Sequence, residues 1–267
     1  ERGVREGDVV GIHMPNMPEY IVAFQAVASL GGVNTTSNPL YTATELAHQF
    51  RDSNAKFCVT VPPFLETVKA AAAESGVKHI FVLGEDSGKF LFANDGKSRP
   101  ASVPMDPKEK LLVLPYSSGT TGLPKGVMLS HHNMVANVQQ IIAHPTFNVD
   151  LHTDDVCVGL LPMYHIYGMT FVTTSCIRLG ATVITVPKFD PIAFLEVLQK
   201  YKVTYAPLVP PIINFLARHP VVSKYDLSAL RVIFSGAAPL DAETQKMVET
   251  RLKGVRSCQG YGMTGAF

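Results

Sequence analysis

The chain has 267 residues, of which 46% are apolar and 17% charged, and its formal net charge is +1. That length suits one large domain or two packed subdomains, and the composition suits a sizeable core rather than a disordered chain. A near-neutral charge with no basic block excludes a nucleic-acid footprint, no run of ~20 apolar residues is there to span a bilayer, and the four cysteines (Cys58, Cys157, Cys176, Cys258) have neither C-x-x-C nor metal-ligand spacing.

In chain order, Val9 to Met14 reads as a short apolar strand, followed by turn chemistry at Pro15-Asn16-Met17-Pro18. Glu19 to Leu30 reads as an apolar helix stopped by Gly31-Gly32, and Thr44 to Ser53 as an amphipathic helix. A buried strand follows at Ala55 to Val61, an alanine-rich helix at Pro63 to Ser75, and a strand again at His79 to Leu83. Asp86 to Pro107 is polar and aperiodic and reads as a surface connection. Leu111 to Tyr116 is a strand, Gly126 to Leu129 another, and a helix with Ser130 as its N-cap runs to about Ala143. The apolar stretch from Val156 to Val186 is read as buried strands, at Cys157–Leu161 and Thr182–Val186. Alternation continues through Pro191–Tyr201, Val203–Pro207, Pro211–Arg218, Val232–Phe234 and Ala242–Leu252. Strands alternating with helices predict an α/β fold: layered subdomains with mixed, largely parallel sheets flanked by helices.

Between the strand ending at Tyr116 and Gly126 lies Ser117-Ser118-Gly119-Thr120-Thr121-Gly122-Leu123-Pro124-Lys125. Hydroxyls and glycines this dense can aim side chains and backbone N–H groups at phosphate oxygens, and Lys125 adds a full positive charge. The spacing is not that of a Walker loop. A generic loop of this composition would be a polar surface turn, but one ending in Pro-Lys-Gly is more specific.

The segment Tyr116 to His131 resembles the phosphate-loop signature of the adenylate-forming superfamily, which includes acyl-CoA synthetases, peptide-synthetase adenylation domains and beetle luciferases. Three further segments resemble that superfamily's motifs in the same order: Pro162-Met163-Tyr164-His165-Ile166-Tyr167-Gly168, Ser235-Gly236-Ala237-Ala238-Pro239-Leu240, and Gln259-Gly260-Tyr261-Gly262-Met263-Thr264. With Asn38-Pro39-Leu40-Tyr41-Thr42, the chain is most similar to the acyl-CoA synthetase and 4-coumarate-CoA ligase branch.

The resemblance implies roles. Ser117, Ser118, Gly119, Thr120, Thr121 and Lys125 would hold the β- and γ-phosphates of ATP. Ala237, Gln259, Gly260 and Tyr261 would form the nucleotide slot, with the Tyr261 ring against adenine. Thr264 would meet the α-phosphate, where charge builds during the reaction. His165, which outside this motif would pass for a core histidine, would stand beside the substrate carboxylate and form part of a pantetheine gate. Tyr167 would line the acid pocket and could offer its hydroxyl to the substrate. Phe171 and Phe234 are bulky where the plant ligases tend to be small, which leaves the acid open between a hydroxycinnamate type and a fatty or other apolar one. Lys188 would meet CoA, its plainer reading being a solvated surface charge. The His131-His132 pair reads as structural, and no metal ligands are assigned on this chain.

Departures from the pattern matter as well. The superfamily carries a glutamate after the threonine of its last segment, which helps hold Mg²⁺ on the phosphates; here Thr264 is followed by Gly265. The resemblance also implies a ribose-binding aspartate, a hinge and a C-terminal domain with a catalytic lysine, none of which is in residues 1–267. The expectation is therefore a partial N-terminal AMP-binding domain over residues 1–267, its start and the whole C-terminal domain being absent. Its parent would use a carboxylic acid, ATP, Mg²⁺ and CoA in a cytoplasmic or peroxisomal setting, and the chain by itself would be inactive. The rival readings are a catalytically inactive nucleotide-binding fragment or splice variant, a luciferase-like oxygenase, and a peptide-synthetase adenylation domain.

Overall fold

A computed structural model describes residues 3–84, 103–117, 124–143 and 150–265. The chain divides into two compact units, Glu1–Val135 and Ala136–Phe267. Each is a parallel sheet flanked by helices, the α/β architecture expected from the alternating pattern.

In the first unit, strands β1 (Val9–His13), β2 (Val33–Thr36), β3 (Ala55–Thr60), β4 (His79–Val82) and β5 (Leu111–Ser117) run parallel in the order β4-β3-β1-β2-β5. Helices α1 (Pro18–Ser29), α2 (Ala43–Asp52) and α3 (Leu65–Ala73) connect them. Their ends follow local chemistry. Thr42 and Glu45 exchange the two hydrogen bonds of a capping box at the start of α2, and Gly31 takes the left-handed conformation that ends α1.

The expected strand at Gly126 to Leu129 is instead two short pieces, β6 (Lys125–Gly126) and β7 (Leu129–Ser130), each antiparallel to β5. Helix α4 (His131–Ala143) then begins as expected: the Asn133 amide donates to Ser130 Oγ at 3.2 Å, and the Ser130 amide donates back to Asn133 Oδ1 at 2.9 Å. Strand β2 was not anticipated. Its Asn34, Thr35 and Thr36 are buried polar residues that hide the apolar signature of a central strand. Neighbouring backbone accepts from two of them, Asn34 Nδ2 donating to Phe24 O at 3.2 Å and Thr35 Oγ1 to Leu114 O at 3.2 Å, while Asn34 Oδ1 is buried without a partner.

In the second unit, β8 (Val156–Gly159), β9 (Thr182–Thr185), β10 (Tyr205–Leu208), β11 (Val232–Ser235) and β12 (Arg256–Gln259) are all parallel, in the order β12-β11-β10-β8-β9. Alternate residues serve opposite faces, as a strand requires. Val158, Ala206 and Ile233 join one core with helices α7 (Pro191–Lys200), α8 (Pro210–Arg218) and α9 (Ala242–Arg251). Cys157, Tyr205, Val232 and Phe234 join a second core with Phe171, Cys176 and Ala181.

That second core shows where the reading of Val156 to Val186 as strands fails. Only its ends are strands. Between them the chain is helical: α5 (Ile166–Thr170), a π-helical turn Phe171–Ser175, and α6 (Cys176–Leu179). Hydroxyls hold the wider turn, Thr173 Oγ1 donating to Met169 O at 2.5 Å and Ser175 Oγ to Thr170 O at 2.8 Å. A helix buried against a sheet carries apolar residues on most of its surface, so periodicity gives no sign of it. β12 was also missed, since Arg256-Ser257-Cys258-Gln259 has a polar edge-strand composition.

At the opposite, N-terminal edge of this sheet, Asp155 is buried and forms an ion pair with Arg231 at 2.8 Å. Burial would raise the Asp155 pKa, but the Thr204 hydroxyl, the His152 amide and Arg231 outweigh it and hold it below the ordinary carboxylate value.

Candidate active site

Because the five strands of the second unit are parallel, their C-terminal ends share one edge. The chain order reverses beside β8, which makes that edge the place where an open α/β sheet leaves a crevice. A cavity of about 260 Å³ lies there, lined by His165, Tyr167 and Phe171 from the segment after β8, by Phe234 and Ala237 at the end of β11, and by Gly260 and Tyr261 after β12. Three of the sequence segments singled out by resemblance thus meet around one space.

Aromatic rings build the floor. Phe171 stacks on Phe234 with centroids 5.0 Å apart, and Tyr205 stacks on Phe171 from behind at 5.7 Å. The Tyr167 ring stands edge-on to Phe171 at 6.1 Å. Glycine is required where backbone meets these rings: a Cβ on Gly236 would sit 2.6 Å from the Tyr167 ring, and one on Gly260 would sit 2.5 Å from the Phe234 ring. The Tyr167 hydroxyl donates to Phe234 O at 2.8 Å, so its proton is committed to the wall and is not offered to a substrate. Burial keeps that phenol well above the ordinary tyrosine pKa, which leaves it neutral.

His165 caps α5, its Nδ1 accepting from the Tyr167 amide at 3.3 Å. It stands exposed at the mouth of the cavity, where surrounding protein displaces enough water to lower its pKa. The imidazole is therefore neutral at pH 7. Ala237 holds φ +70°, a left-handed conformation that costs a non-glycine residue about 1–2 kcal/mol. Strain of this kind gathers at functional sites. Tyr261 leaves its ring 86% exposed at the rim, free to lie against a flat ligand.

Other expected residues lie elsewhere. Gln259 spends its side chain on Leu240, accepting from the amide at 2.9 Å and donating to the carbonyl at 3.1 Å. It braces the Ser235–Leu240 segment against β12 and is not part of the cavity wall. Thr264 is half-buried in the turn just past the lining residues, and Lys188 is exposed on the loop between β9 and α7. In the first unit, Ser117 and Lys125 face each other across the β5–β6 ladder, at the mouth of the hairpin. Ser118, Gly119, Thr120 and Thr121 lie outside the described residues.

Sequence reasoning missed one wall of the cavity, formed by Asn137, Gln140 and Ile141 of α4. Their i, i+3, i+4 spacing was available, but two polar residues on a helix look like a solvated face. Among the described residues no group of three or more His, Cys, Asp or Glu side chains could hold a metal.

The family model described as AMP-binding enzyme matches residues 1–266. The chain belongs to the AMP-binding enzyme family. A 4-coumarate–CoA ligase from Vanilla planifolia is 39% identical over 272 residues, covering 99% of this chain and 49% of that protein. The chain thus spans about half the length of the curated relatives it matches. MatB from Rhodopseudomonas palustris, solved with ATP bound, is 30% identical with a TM-score of 0.84, covering 98% of this chain and 51% of that one. A luciferase from Phrixothrix hirtus is 27% identical with a TM-score of 0.87, covering 98% and 66%. Fold alone therefore does not separate ligases from luciferases within the AMP-binding family; the higher sequence identity lies with the ligase. Among the described residues no helix is long and apolar enough to cross a membrane.

Proposed function

We propose that the chain forms part of the N-terminal adenylation domain of an acid–thiol ligase. In the full-length protein a carboxylate oxygen attacks the α-phosphorus of ATP, giving an acyl-adenylate and releasing pyrophosphate; the CoA thiolate then attacks the acyl carbon and AMP leaves. One observation supports this reading: a cavity at the C-terminal edge of a parallel sheet gathers the segments around His165, Ala237 and Tyr261, with an aromatic floor beneath them.

The chemistry asks the protein mainly to position reactants and stabilise charge. Tyr167, Phe171 and Phe234 would seat the acid. The neutral His165 at the mouth adds no charge that would pin the carboxylate in its ground state. Ala237, Gly260 and Tyr261 would receive the nucleotide, braced by Gln259, with Thr264 at the α-phosphate. Ser117, Ser118, Gly119, Thr120, Thr121 and Lys125 would hold the leaving phosphates, and Lys188 would meet CoA. Mg²⁺ would be held mainly by the ATP phosphates, to which Gly265 adds no carboxylate. No step is assigned to it. Four unbridged cysteines support a reducing setting, cytoplasmic or peroxisomal.

Pyrophosphate exchange with a panel of short, aryl and fatty acids tests the reading in a protein that restores the C-terminal domain. Acid-dependent exchange is expected. Lys125→Ala and Thr264→Ala should each lower it ~30- to 1,000-fold, the 2–4 kcal/mol of a lost transition-state contact. Rates within threefold of wild type would remove both residues from the mechanism. Gly265 favours a second reading, a nucleotide-binding chain without catalysis, and ATP binding with no exchange would establish it.

A further inference from the structure

In the first unit, a tyrosine ties the mouth of the Ser117–Lys125 hairpin to α2. The β5–β6 ladder pairs Tyr116 with Gly126 and Ser117 with Lys125. The half-buried Tyr116 ring lies against Gly126, where a Cβ would sit 3.1 Å from two ring carbons. Its hydroxyl donates to Asp52 Oδ2 at 2.5 Å. Burial and that carboxylate hold the Tyr116 pKa well above the ordinary tyrosine value, so the phenol stays protonated and keeps donating. The far end of the tie is fixed as well. Gln49, buried in the same last turn of α2, donates from Nε2 to Thr35 Oγ1 at 2.9 Å and to Thr36 O at 3.0 Å in β2. Helix stability does not account for Asp52: it is the exposed last residue of α2, where a carboxylate meets the negative end of the helix dipole. What it does contribute, among the described residues, is the acceptor for Tyr116.

We propose that Tyr116 and Asp52 are positioning residues that hold Lys125 in place for the nucleotide's phosphates. This rests on the reading above in which Lys125 meets the leaving phosphates. Lys125 is exposed, and β6, the strand that carries it, is only Lys125–Gly126, so the ladder by itself gives it little support. The Tyr116 ring bears on the very next residue, and Asp52 fixes the ring. A lysine acts on phosphate as a point charge at the end of a flexible stem, so where its backbone sits decides where the charge can go. A displacement of ~1 Å at a reacting group can cost on the order of 100-fold in rate. The tie therefore acts on the nucleotide through Lys125 without touching it.

The test is pyrophosphate exchange in the protein that restores the C-terminal domain, with KM read separately for ATP and for the acid. Tyr116→Phe, which keeps the ring and drops the hydroxyl, should lower kcat/KM for ATP about tenfold, ~1.4 kcal/mol, and leave KM for the acid within about twofold. Asp52→Ala should match it, while Asp52→Asn, which keeps an acceptor, should stay within about threefold of wild type. Because the tie acts through Lys125, Tyr116→Phe should add less than about a twofold loss in a Lys125→Ala background, whereas a role in folding alone would lower both backgrounds alike. Circular dichroism checks folding, and Asp52→Ala, at an exposed position, carries the test if Tyr116→Phe does not fold. Full activity in Tyr116→Phe and Asp52→Ala, an equal loss in both backgrounds, a matching rise in KM for the acid, or an Asp52→Asn loss as deep as that of Asp52→Ala overturns the tie and leaves the role of Lys125 standing. No exchange in the wild type, or an undiminished rate in Lys125→Ala, overturns the phosphate reading itself, and the inference with it.

Discussion

The two units wind helices around parallel sheets whose chain order reverses midway, beside β1 in the first and beside β8 in the second, yet they finish their strand ends in opposite ways. In the first unit, side chains fill the edge. His13 at the end of β1 is fully buried, with Nδ1 2.9 Å from Ser37 Oγ and the ring edge-on to Phe64 at 5.6 Å, while Thr60 Oγ1 donates to His13 O at 2.8 Å. In the second unit, β11 and β12 are followed by Gly236 and Gly260, and rings lie against the bare backbone. The topology makes an open edge available. Which residues follow the strands decides whether that edge becomes a binding cavity or a plug.

The largest expected effect tests whether one aromatic layer serves as both core and cavity wall. Phe171→Ala should cost about 3–5 kcal/mol of stability, as for other buried Phe truncations, and should also change the order of preference among acids. In the first unit, Phe50→Ala should cost a similar amount, since Phe50 is fully buried, but leave acid preference untouched. Thermal melts paired with ligand titrations distinguish the two, and an unchanged preference in the Phe171 variant would break the comparison.

A smaller effect separates the units by pH. Burial lowers the His13 pKa to about 4, against ~6.5 for the unfolded chain. The folded unit keeps the ring neutral while the unfolded chain takes up a proton. The His13 contribution is therefore complete above about pH 6.5 and is lost as pH falls toward 4, by at most about 3 kcal/mol. Asp155 in the second unit is held below the ordinary carboxylate value, so its contribution is lost only at lower pH. Hydrogen exchange followed from pH 7 to 4.5 should show β1 and β3 losing protection before β8 and β11. His13→Gln should flatten the first unit's response; equal slopes in both units would remove His13 as the cause.

The smallest effect concerns backbone strain. Ala237 at φ +70° should gain about 1 kcal/mol on Ala237→Gly, whereas Asn54, at φ +55° in the first unit, should gain almost nothing on Asn54→Gly. Asparagine tolerates the left-handed region through local hydrogen bonding and alanine does not. Equal shifts in melting temperature would contradict this account of Ala237.

Local chemistry in the sequence determined a large part of the molecule. Alternating apolar runs and turn residues gave most strands and helices, Ser130 was legible as a cap, and the Ser117–Lys125 loop stood out by its own composition. His165, Tyr167, Ala237, Gly260 and Tyr261 were named from their segments, since each motif is contiguous and carries its identity with it, and Phe171 and Phe234 from their bulk beside two of those segments. Tertiary structure decided the rest. β2 can be polar because backbone carbonyls of other elements, at Phe24 and Leu114, accept from Asn34 Nδ2 and Thr35 Oγ1. The helix from Ile166 to Leu179 lost its periodic signal because a sheet and a cavity cover it from different sides. The roles of Gln259 and of the Tyr167 hydroxyl changed once partners 19 and 67 residues away took their hydrogen bonds. Asn137 joined the site only when α4 was packed in place. A sequence displays what a residue can do within its own turn or strand; which neighbour claims its hydrogen bond is settled by contacts between segments far apart in the chain.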